Sequence, residues 1–281
     1  MGKKSYAENR KEHLCTYAKE LPVGGKWQKK EEDYPHILKF KGDTEKPQNK
    51  ENKYKVVCKY NILTDVSPDM FKQNDMHRYA HHLNSSQVLC YNFFRPLIAE
   101  NRNPTNELIE LLEKQKVIIS SSATCKFEYC PDNKENTQFD FHITDDNTEV
   151  FFEIKYTEHG FGKAKKDESH KEKFKTIYKE YFAKQKCLKW NPTFKDEDLD
   201  NDFEEFSNHY QLYRNVIRIT DKNKYVILLY PKANEKSEKE AKAFISGKIK
   251  EEYKNNILCL YWEDIVKKDS ELYRKYFAEK I

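Results

Sequence analysis

The chain has 281 residues and a formal net charge of +4, which is too small to indicate a nucleic-acid partner by itself. With 37% hydrophobic and 14% aromatic residues, and only 7 glycines and 9 prolines, the composition excludes a disordered or linker-rich chain. No apolar run approaches the ~20 residues of a membrane helix, and the charged N-terminal residues predict no signal peptide, so we expect a cytoplasmic protein.

Residues 1–70 are predicted to be an N-terminal elaboration of a single domain over residues 71–281. A helix is predicted over residues 1–20, and Pro22 ends it. The lysine-rich stretch that follows lacks clear periodicity. Residues 54–63 fit either a strand or the approach to the next helix.

Residues 76–94 are predicted to form a helix that carries histidines in its first turns. His77 and His81 are four residues apart, so they would share one face of that helix and could share a metal ion. Arg78 stands where a zinc-peptidase motif needs glutamate, and no further ligand is evident. Packing, or contact with an anion, is therefore favoured over a zinc site.

A second helix over residues 106–115 and a strand over residues 117–129 lead to a predicted hairpin at residues 138–158. Apolar and polar residues alternate on both sides of an Asp-Asp-Asn turn, as expected of two half-buried strands. If Thr144 pairs with Glu149, the apolar residues of both strands share one face, whereas a one-residue slip would send one set to the wrong face. These apolar residues are Phe139, Phe141, Ile143, Val150, Phe152 and Ile154.

The same register brings Asp140, Glu153 and Lys155 together on the other face of the hairpin. Two carboxylates offer the hard oxygen ligands that Mg²⁺ prefers, and Mg²⁺ also accepts phosphate oxygens. Such a metal activates water and stabilises charge on a phosphate, and a neighbouring lysine can position that water or offset charge. The pattern therefore indicates a phosphodiester hydrolase. A solvated hairpin face with ordinary charges is the alternative, and the segment alone favours neither.

Beyond the hairpin, residues 163–190 combine apolar residues at helical spacing with many lysines. Lys165, Lys166 and Lys173 belong to this lysine face, for which a phosphate-tracking surface and a solvated helix face are equally good interpretations. The acidic stretch at 195–205 is predicted to be an exposed loop. The remaining predicted elements are two buried strands, at 225–230 and 257–261, and three helices, at 203–217, 237–253 and 262–280.

Asp140, followed on the next strand by the Glu-Ile-Lys of residues 153–155, resembles the PD-(D/E)XK signature of restriction-endonuclease-like nucleases. The segments Asn-Ser-Ser-Gln-Val-Leu-Cys-Tyr-Asn-Phe-Phe at 84–94 and His-Tyr-Gln-Leu-Tyr-Arg-Asn at 209–215 are similar to segments of a family of bacterial restriction endonucleases. The order of the three segments is much more specific than the short hairpin motif. The resemblance implies an α/β fold with a restriction-endonuclease-like core, in which helices flank a central mixed β-sheet.

The resemblance also implies a Mg²⁺-dependent deoxyribonuclease of restriction or defence, in which Mn²⁺ can substitute. Asp140 and Glu153 would bind the metal together with the Ile154 carbonyl, and Lys155 would position the attacking water. Double-strand cutting would most simply use a two-fold homodimer. Phosphate-loop and glycine-rich nucleotide motifs are absent, so no nucleotide cofactor is expected.

Gln87, Gln211 and Arg214 lie in the two matching helical segments, so the resemblance implies that they approach DNA, with ordinary helix surface or capping as the alternative. Two other functions stay open. One is a nucleic-acid-binding module that does not cut, and the other is a nuclease acting on RNA.

The chain departs from the family pattern in two places. Phe139 replaces the proline of the signature, and the helix before the sheet lacks the acidic metal ligand of many relatives. The metal would therefore be held by two carboxylates and water, with Glu107 and Glu110 as more distant possibilities.

Overall fold

The computed structural model describes residues 4–26, 32–42, 49–135 and 138–278. The N-terminal elements are α1 (Tyr6–Tyr17), β1 (Val23–Lys26), β2 (Asp33–Leu38) and α2 (Lys50–Tyr60), and β1 pairs antiparallel with β2. The lysine-rich stretch thus contains a strand, although its parts at 27–31 and 43–48 lie outside the described residues. Residues 54–60 are helical because α2 begins at a capped end, where the Asn49 side chain accepts the Asn52 N–H at 3.0 Å.

The central sheet has five strands in the order β3-β4-β5-β6-β7. These strands are β3 (Thr124–Tyr129), β4 (Phe139–Thr144), β5 (Glu149–Ile154), β6 (Lys224–Tyr230) and β7 (Ile257–Tyr261). The first three pair antiparallel, and the last two are added in parallel. This mixed sheet confirms the predicted α/β fold, and its order of a helix, three strands, helices and a strand is the predicted one.

Helices cover both faces of the sheet. They are α3 (Ser86–Phe94), α4 (Asn106–Glu113), α5 (Glu168–Lys173), α6 (Lys179–Lys184), α7 (Leu199–Asn208), α8 (Tyr210–Val216), α9 (Glu235–Lys248), α10 (Trp262–Ile265) and α11 (Glu271–Tyr276), with a π-turn at Phe174–Tyr178 and 3₁₀ turns at Arg95–Leu97 and Glu251–Asn256. Within the described ranges, no helix is long and apolar enough to cross a membrane.

Several predicted elements are shorter than expected. Residues 76–85 are turns and not helix, because their backbone bonds to β2: Leu38 N–H donates to His81 O and Leu83 N–H donates to His36 O, each at 3.0 Å. The predicted strand over 117–129 begins only at Thr124.

In the C-terminal half, a predicted loop is partly helical and two predicted helices are broken. The acidic stretch predicted as a loop becomes helical at Leu199, where α7 begins. The predicted helix over 203–217 breaks at His209, and the predicted final helix is two short ones.

Two apolar clusters lie on opposite faces of the sheet. Phe141, Ile143 and three residues of β5 share one cluster, as predicted. Phe139 was expected there, but that prediction is wrong: it packs in the second cluster, with its ring centroid 4.7 Å from that of Phe151. Main-chain pairing with β5 has ended by this point, so the alternation no longer holds.

Candidate active site

The register of β4 and β5 is the predicted one, with Thr144 opposite Glu149. Main-chain pairing ends at Phe141, and beyond it Oδ2 of Asp140 accepts the backbone N–H of Ile154 at 2.7 Å. The Asp140 carboxylate therefore replaces main-chain pairing at the point where the two strands separate.

Glu153 accepts hydrogen bonds on both of its carboxylate oxygens. Lys155 Nζ donates to Oε1 at 2.7 Å, while the Arg214 guanidinium and the Asn215 amide donate to Oε2 at 3.0 and 3.1 Å. Only 3% of Glu153 and 6% of Lys155 is exposed. The solvated hairpin face that the sequence left open is therefore wrong.

Burial and neighbouring charges shift the pKa values of the ionisable side chains in this cluster. Burial raises the pKa of Glu153, but the nearby Lys155 and Arg214 outweigh it, so the net pKa is lowered. Burial lowers the pKa of Lys155, but the charges of Glu153, Glu158 and Asp140 together outweigh it, so the net pKa is raised. Burial, followed by the Glu153 charge, raises the pKa of Asp140 to about 7. Glu153 and Lys155 are thus an ion pair at neutral pH, while Asp140 is poised to exchange a proton.

Glu128 in β3 is a third carboxylate of the site, and the sequence motifs did not point to it. The two chain neighbours of Glu128 pair with the two neighbours of Asp140, which sets the two acids opposite each other. Glu128 has a φ of 47°, in the left-handed region that a glutamate rarely adopts. Burial, followed by the charge of Asp140, raises its pKa well above the ordinary value. A count of register from β3 to β4 would have found Glu128, but the turn residues at 131–133 stand in a connection that is too long to fix that register.

These side chains line one pocket of about 480 Å³. Of the predicted DNA contacts, Gln87, Gln211 and Arg214 line it, whereas the three predicted lysines do not. Another part of its lining carries aromatic and imidazole rings that were not predicted as site residues; these are His36, His77, Tyr79 and His82.

Both glutamines of the pocket have amides engaged by main chain. Gln87 accepts the N–H of His77 at 2.8 Å and donates to the carbonyl of Asp75 at 2.9 Å. Gln211 accepts the N–H of Gly162 at 2.7 Å. They hold neighbouring loops in place at the pocket edge.

The family model described as Restriction Endonuclease associating with ARP matches residues 20–280. This chain belongs to that family. Membership supports a nuclease with a role in defence, and it agrees with the resemblance carried by the three sequence segments. No curated protein and no solved structure matches the chain.

In this restriction-endonuclease chain, part of the predicted lysine face is already bonded to neighbouring residues. Lys166 forms an ion pair with Glu204 at 2.7 Å, and Lys173 donates to the main-chain carbonyl of Glu135. Lys165 is exposed. The helix that carries these residues begins only at Glu168, so Lys165 and Lys166 precede it.

The donor set of this family member fits a hard divalent cation. Asp140, Glu153 and Ile154 line the pocket with Glu128, and a cation would offset the burial and the mutual repulsion that raise the pKa of Asp140 and Glu128. Within the described ranges, however, no three Asp, Glu, His or Cys side chains form a ready-made metal cluster. A metal would thus have to exchange with the cations that now hold Glu153.

The acids named as distant alternatives lie elsewhere. Glu107 and Glu110 line a separate cavity, where Glu107 forms an ion pair with Lys267 at 2.8 Å.

Proposed function

We propose that this protein is a Mg²⁺-dependent endonuclease that hydrolyses DNA phosphodiester bonds in restriction or defence. The observation that carries the proposal is the joint placement of Asp140, Glu153 and Lys155 in one pocket, with the Asp140 carboxylate on the Ile154 N–H and Lys155 on Glu153. In the proposed roles, Asp140, Glu153 and the Ile154 carbonyl hold the metal.

A bound Mg²⁺ or Mn²⁺ would lower the pKa of a water ligand and offset charge on the scissile phosphate. Lys155 supplies a buried ammonium beside the metal ligand Glu153, where it can orient the attacking water or stabilise charge on the phosphate. Arg214 and Asn215 hold Oε2 of Glu153 and so fix the direction of its carboxylate.

A nucleic-acid-binding module that does not cut is the second candidate. It is favoured by one observation: both oxygens of Glu153 are already taken by cationic or amide donors. The two candidates differ in whether a divalent ion can displace those contacts.

The test is cleavage of plasmid DNA and of RNA by the full chain in Mg²⁺, Mn²⁺ and EDTA. We expect cleavage of DNA that EDTA abolishes and either metal restores. Asp140→Asn should remove it while keeping an acceptor for the Ile154 N–H. Asp145→Asn is the matched control, because Asp145 also accepts main-chain N–H groups, from Asn147 at 2.8 Å and Thr148 at 2.7 Å, but at the other end of β4.

Full activity of Asp140→Asn, or cleavage that persists in EDTA, would contradict the proposed site. Cleavage of RNA alone would change the substrate and keep the chemistry. DNA binding without cleavage in any metal would favour the binding module.

The proposed assembly is a homodimer on DNA, because one site of this kind accommodates one scissile phosphate and double-strand cutting needs two. Light scattering with and without duplex DNA, beside the ratio of nicked to linear plasmid, tests it. A monomer that linearises plasmid in one binding event would contradict this assembly.

A further inference from the structure

Another part of the pocket lining is a row of four rings, which we call the ring wall: His77, Tyr79, His82 and His36. Neighbouring ring centroids are separated by 5.2 Å from His77 to Tyr79, 5.0 Å from Tyr79 to His82 and 6.3 Å from His82 to His36. His77 is exposed and Tyr79 is half-buried, whereas His36 and His82 are buried. The accessible ring surface of the row therefore belongs to His77 and Tyr79, and the Tyr79 ring is in tilted contact with the buried His82 ring.

The three imidazoles of the ring wall are uncharged at neutral pH. Burial lowers the pKa of His36 to about 4 and that of His82 to about 2, and partial enclosure of the imidazole lowers the pKa of His77, although that residue is exposed as a whole. Two cations border these rings: the Arg78 guanidinium lies 5.5 Å from the Tyr79 ring centroid, and Lys11 lines the same pocket. Neutral aromatic faces with an arginine beside them suit the π-face of a nucleobase, on which both kinds of group can stack. The chemistry of this wall thus differs from that of the charged residues elsewhere in the pocket.

The segment that carries the ring wall is held rigidly although it has no regular structure. The buried Asn61 amide donates to the carbonyls of Ala80 at 2.7 Å and His82 at 3.0 Å, and Lys53 Nζ donates to the Arg78 carbonyl at 3.2 Å. Buried side chains that satisfy loop carbonyls fix the positions of the rings before any ligand arrives.

A direct contact ties the ring wall to the catalytic strand. Asn84, just after the wall, donates from its amide to the Thr157 hydroxyl at 2.8 Å, and Thr157 is two residues beyond Lys155. A base on the ring wall would therefore belong to a nucleotide close to the phosphate in the catalytic cluster.

We infer that the ring wall binds an unpaired nucleobase of the DNA substrate, with the base stacked on Tyr79 and bordered by His77, whose ring plane is inclined by 63° to that of Tyr79, beside the scissile phosphate. The base must be unpaired because the faces of stacked, paired bases in a duplex are covered. The inference rests on the proposed function for the identity of the nucleic acid. It also gives the N-terminal segment a role, since His36 of β2 completes the wall.

The test measures coupling between one ring and the bases of the strand. Full-length protein in EDTA is titrated against a single-stranded DNA and against a strand of equal length with abasic sites. Tyr79→Ala should weaken binding of the normal strand by about 5- to 150-fold, the range for loss of a base stacked on an aromatic side chain. It should bind the abasic strand as the wild type does. Tyr79→Phe should keep the wild-type preference, because it keeps the ring.

Tyr225→Ala is the matched control, since Tyr225 is half-buried, lies outside this pocket and pairs with Val150 at the far end of β5. It should behave as the wild type, and thermal melting checks that every variant is folded. A Tyr79→Ala variant that discriminates between the two strands as strongly as the wild type would overturn the inference. A wild type that ignores the bases altogether would also overturn it.

The assay separates this inference from the proposed nuclease activity because it needs no metal and no cleavage. Coupling without cleavage by the wild type would keep the ring wall and remove the nuclease. Metal-dependent cleavage by the wild type without this coupling would support the nuclease and overturn the inference about the ring wall.

Discussion

The two walls of the central pocket are built on opposite electrostatic principles. On one side, Glu153, Lys155 and Arg214 are buried as charges and hold one another through hydrogen bonds. On the other side, titratable imidazoles are buried as neutral rings with depressed pKa values. Burial acts on both walls, but only the first supplies opposite charges that outweigh the desolvation of each ion. Our two proposals follow this difference: they give phosphate and metal chemistry to the charged wall, and recognition of an uncharged group to the ring wall.

The largest expected effect comes from removing the ammonium of the charged wall. Lys155→Met should lower DNA cleavage by about 10²- to 10⁴-fold, as for loss of a group that acts in the transition state. Glu153 keeps its hydrogen bonds from Arg214 and Asn215, so the fold should persist. Single-turnover kinetics measure the rate of DNA cleavage, and thermal melting shows whether the fold persists.

Lys224→Met is the control for that variant, because Lys224 also pairs with a glutamate of β5, Glu149, at 2.9 Å, but at the opposite end of the strand. Equal loss of activity in both variants would show that the ammonium at 155 has no special role, and the comparison of the walls would fail.

The next effect concerns the residue that orients Glu153. Arg214→Met should lower activity by about 10- to 100-fold, the range for loss of an outer partner of a metal ligand. The positive charge of Arg214 lowers the pKa of Glu153, so its removal should raise that pKa and move the acid limb of the pH–rate profile to higher pH. Arg218→Met removes another arginine bonded to a buried glutamate, Glu135, outside the pocket. This control should leave the acid limb in place. An acid limb that also stays in place in Arg214→Met would assign Arg214 to DNA contact instead.

Metal affinity should depend on pH through Asp140. Its pKa of about 7 in the metal-free protein means that a cation must displace a proton below pH 7. Affinity for Mn²⁺ should therefore rise about tenfold per pH unit up to pH 7 and level off above it. Calorimetry across this range measures the slope, and Asp140→Asn should flatten it. A flat profile in the wild type would place the metal away from Asp140.

The smallest expected effect belongs to the lysine face outside both walls. Reversal of Lys165, Lys166 and Lys173 to glutamate should weaken DNA binding and reduce its salt slope, by about 0.9 for each phosphate that the protein no longer neutralises. Lys166 already pairs with Glu204, so its share should be small. The matched control reverses three exposed lysines elsewhere, Lys232, Lys239 and Lys242. Equal slopes in the two triple variants would leave the predicted face as an ordinary solvated surface.

The charged wall was largely predictable from the sequence, because its key residues lie on one hairpin whose alternation fixes the register. The placement of Asp140, Glu153 and Lys155 on one face follows from that short-range pattern, whereas their proposed roles also needed the resemblance to restriction-endonuclease-like nucleases. Glu128 does not, since its position depends on the pairing of β3 with β4 and on a backbone conformation that the sequence does not indicate.

The ring wall was not predictable in this way. His77 and His81 lie in the helix predicted over residues 76–94, but main-chain bonds from His81 and Leu83 to β2, a distant segment, hold this part of the chain in turns. Hydrogen bonds between residues far apart in the chain outweighed the local propensity for a helix here. The prediction that Phe139 lies in the first apolar cluster was wrong for a related reason, because side chains alternate between the two faces only while main-chain pairing continues.

The hydrogen bonds between β2 and the turns at 81–83 determine whether a fragment that lacks β2 could fold on its own. The main-chain groups of His36 and Leu38 meet partners at Leu83 and His81, and a protein trimmed to residues 71–281 would leave those partners without their hydrogen bonds. Limited proteolysis should therefore yield no active C-terminal fragment. The predicted boundary near residue 70 would then separate two lengths of sequence, and not two units that fold independently.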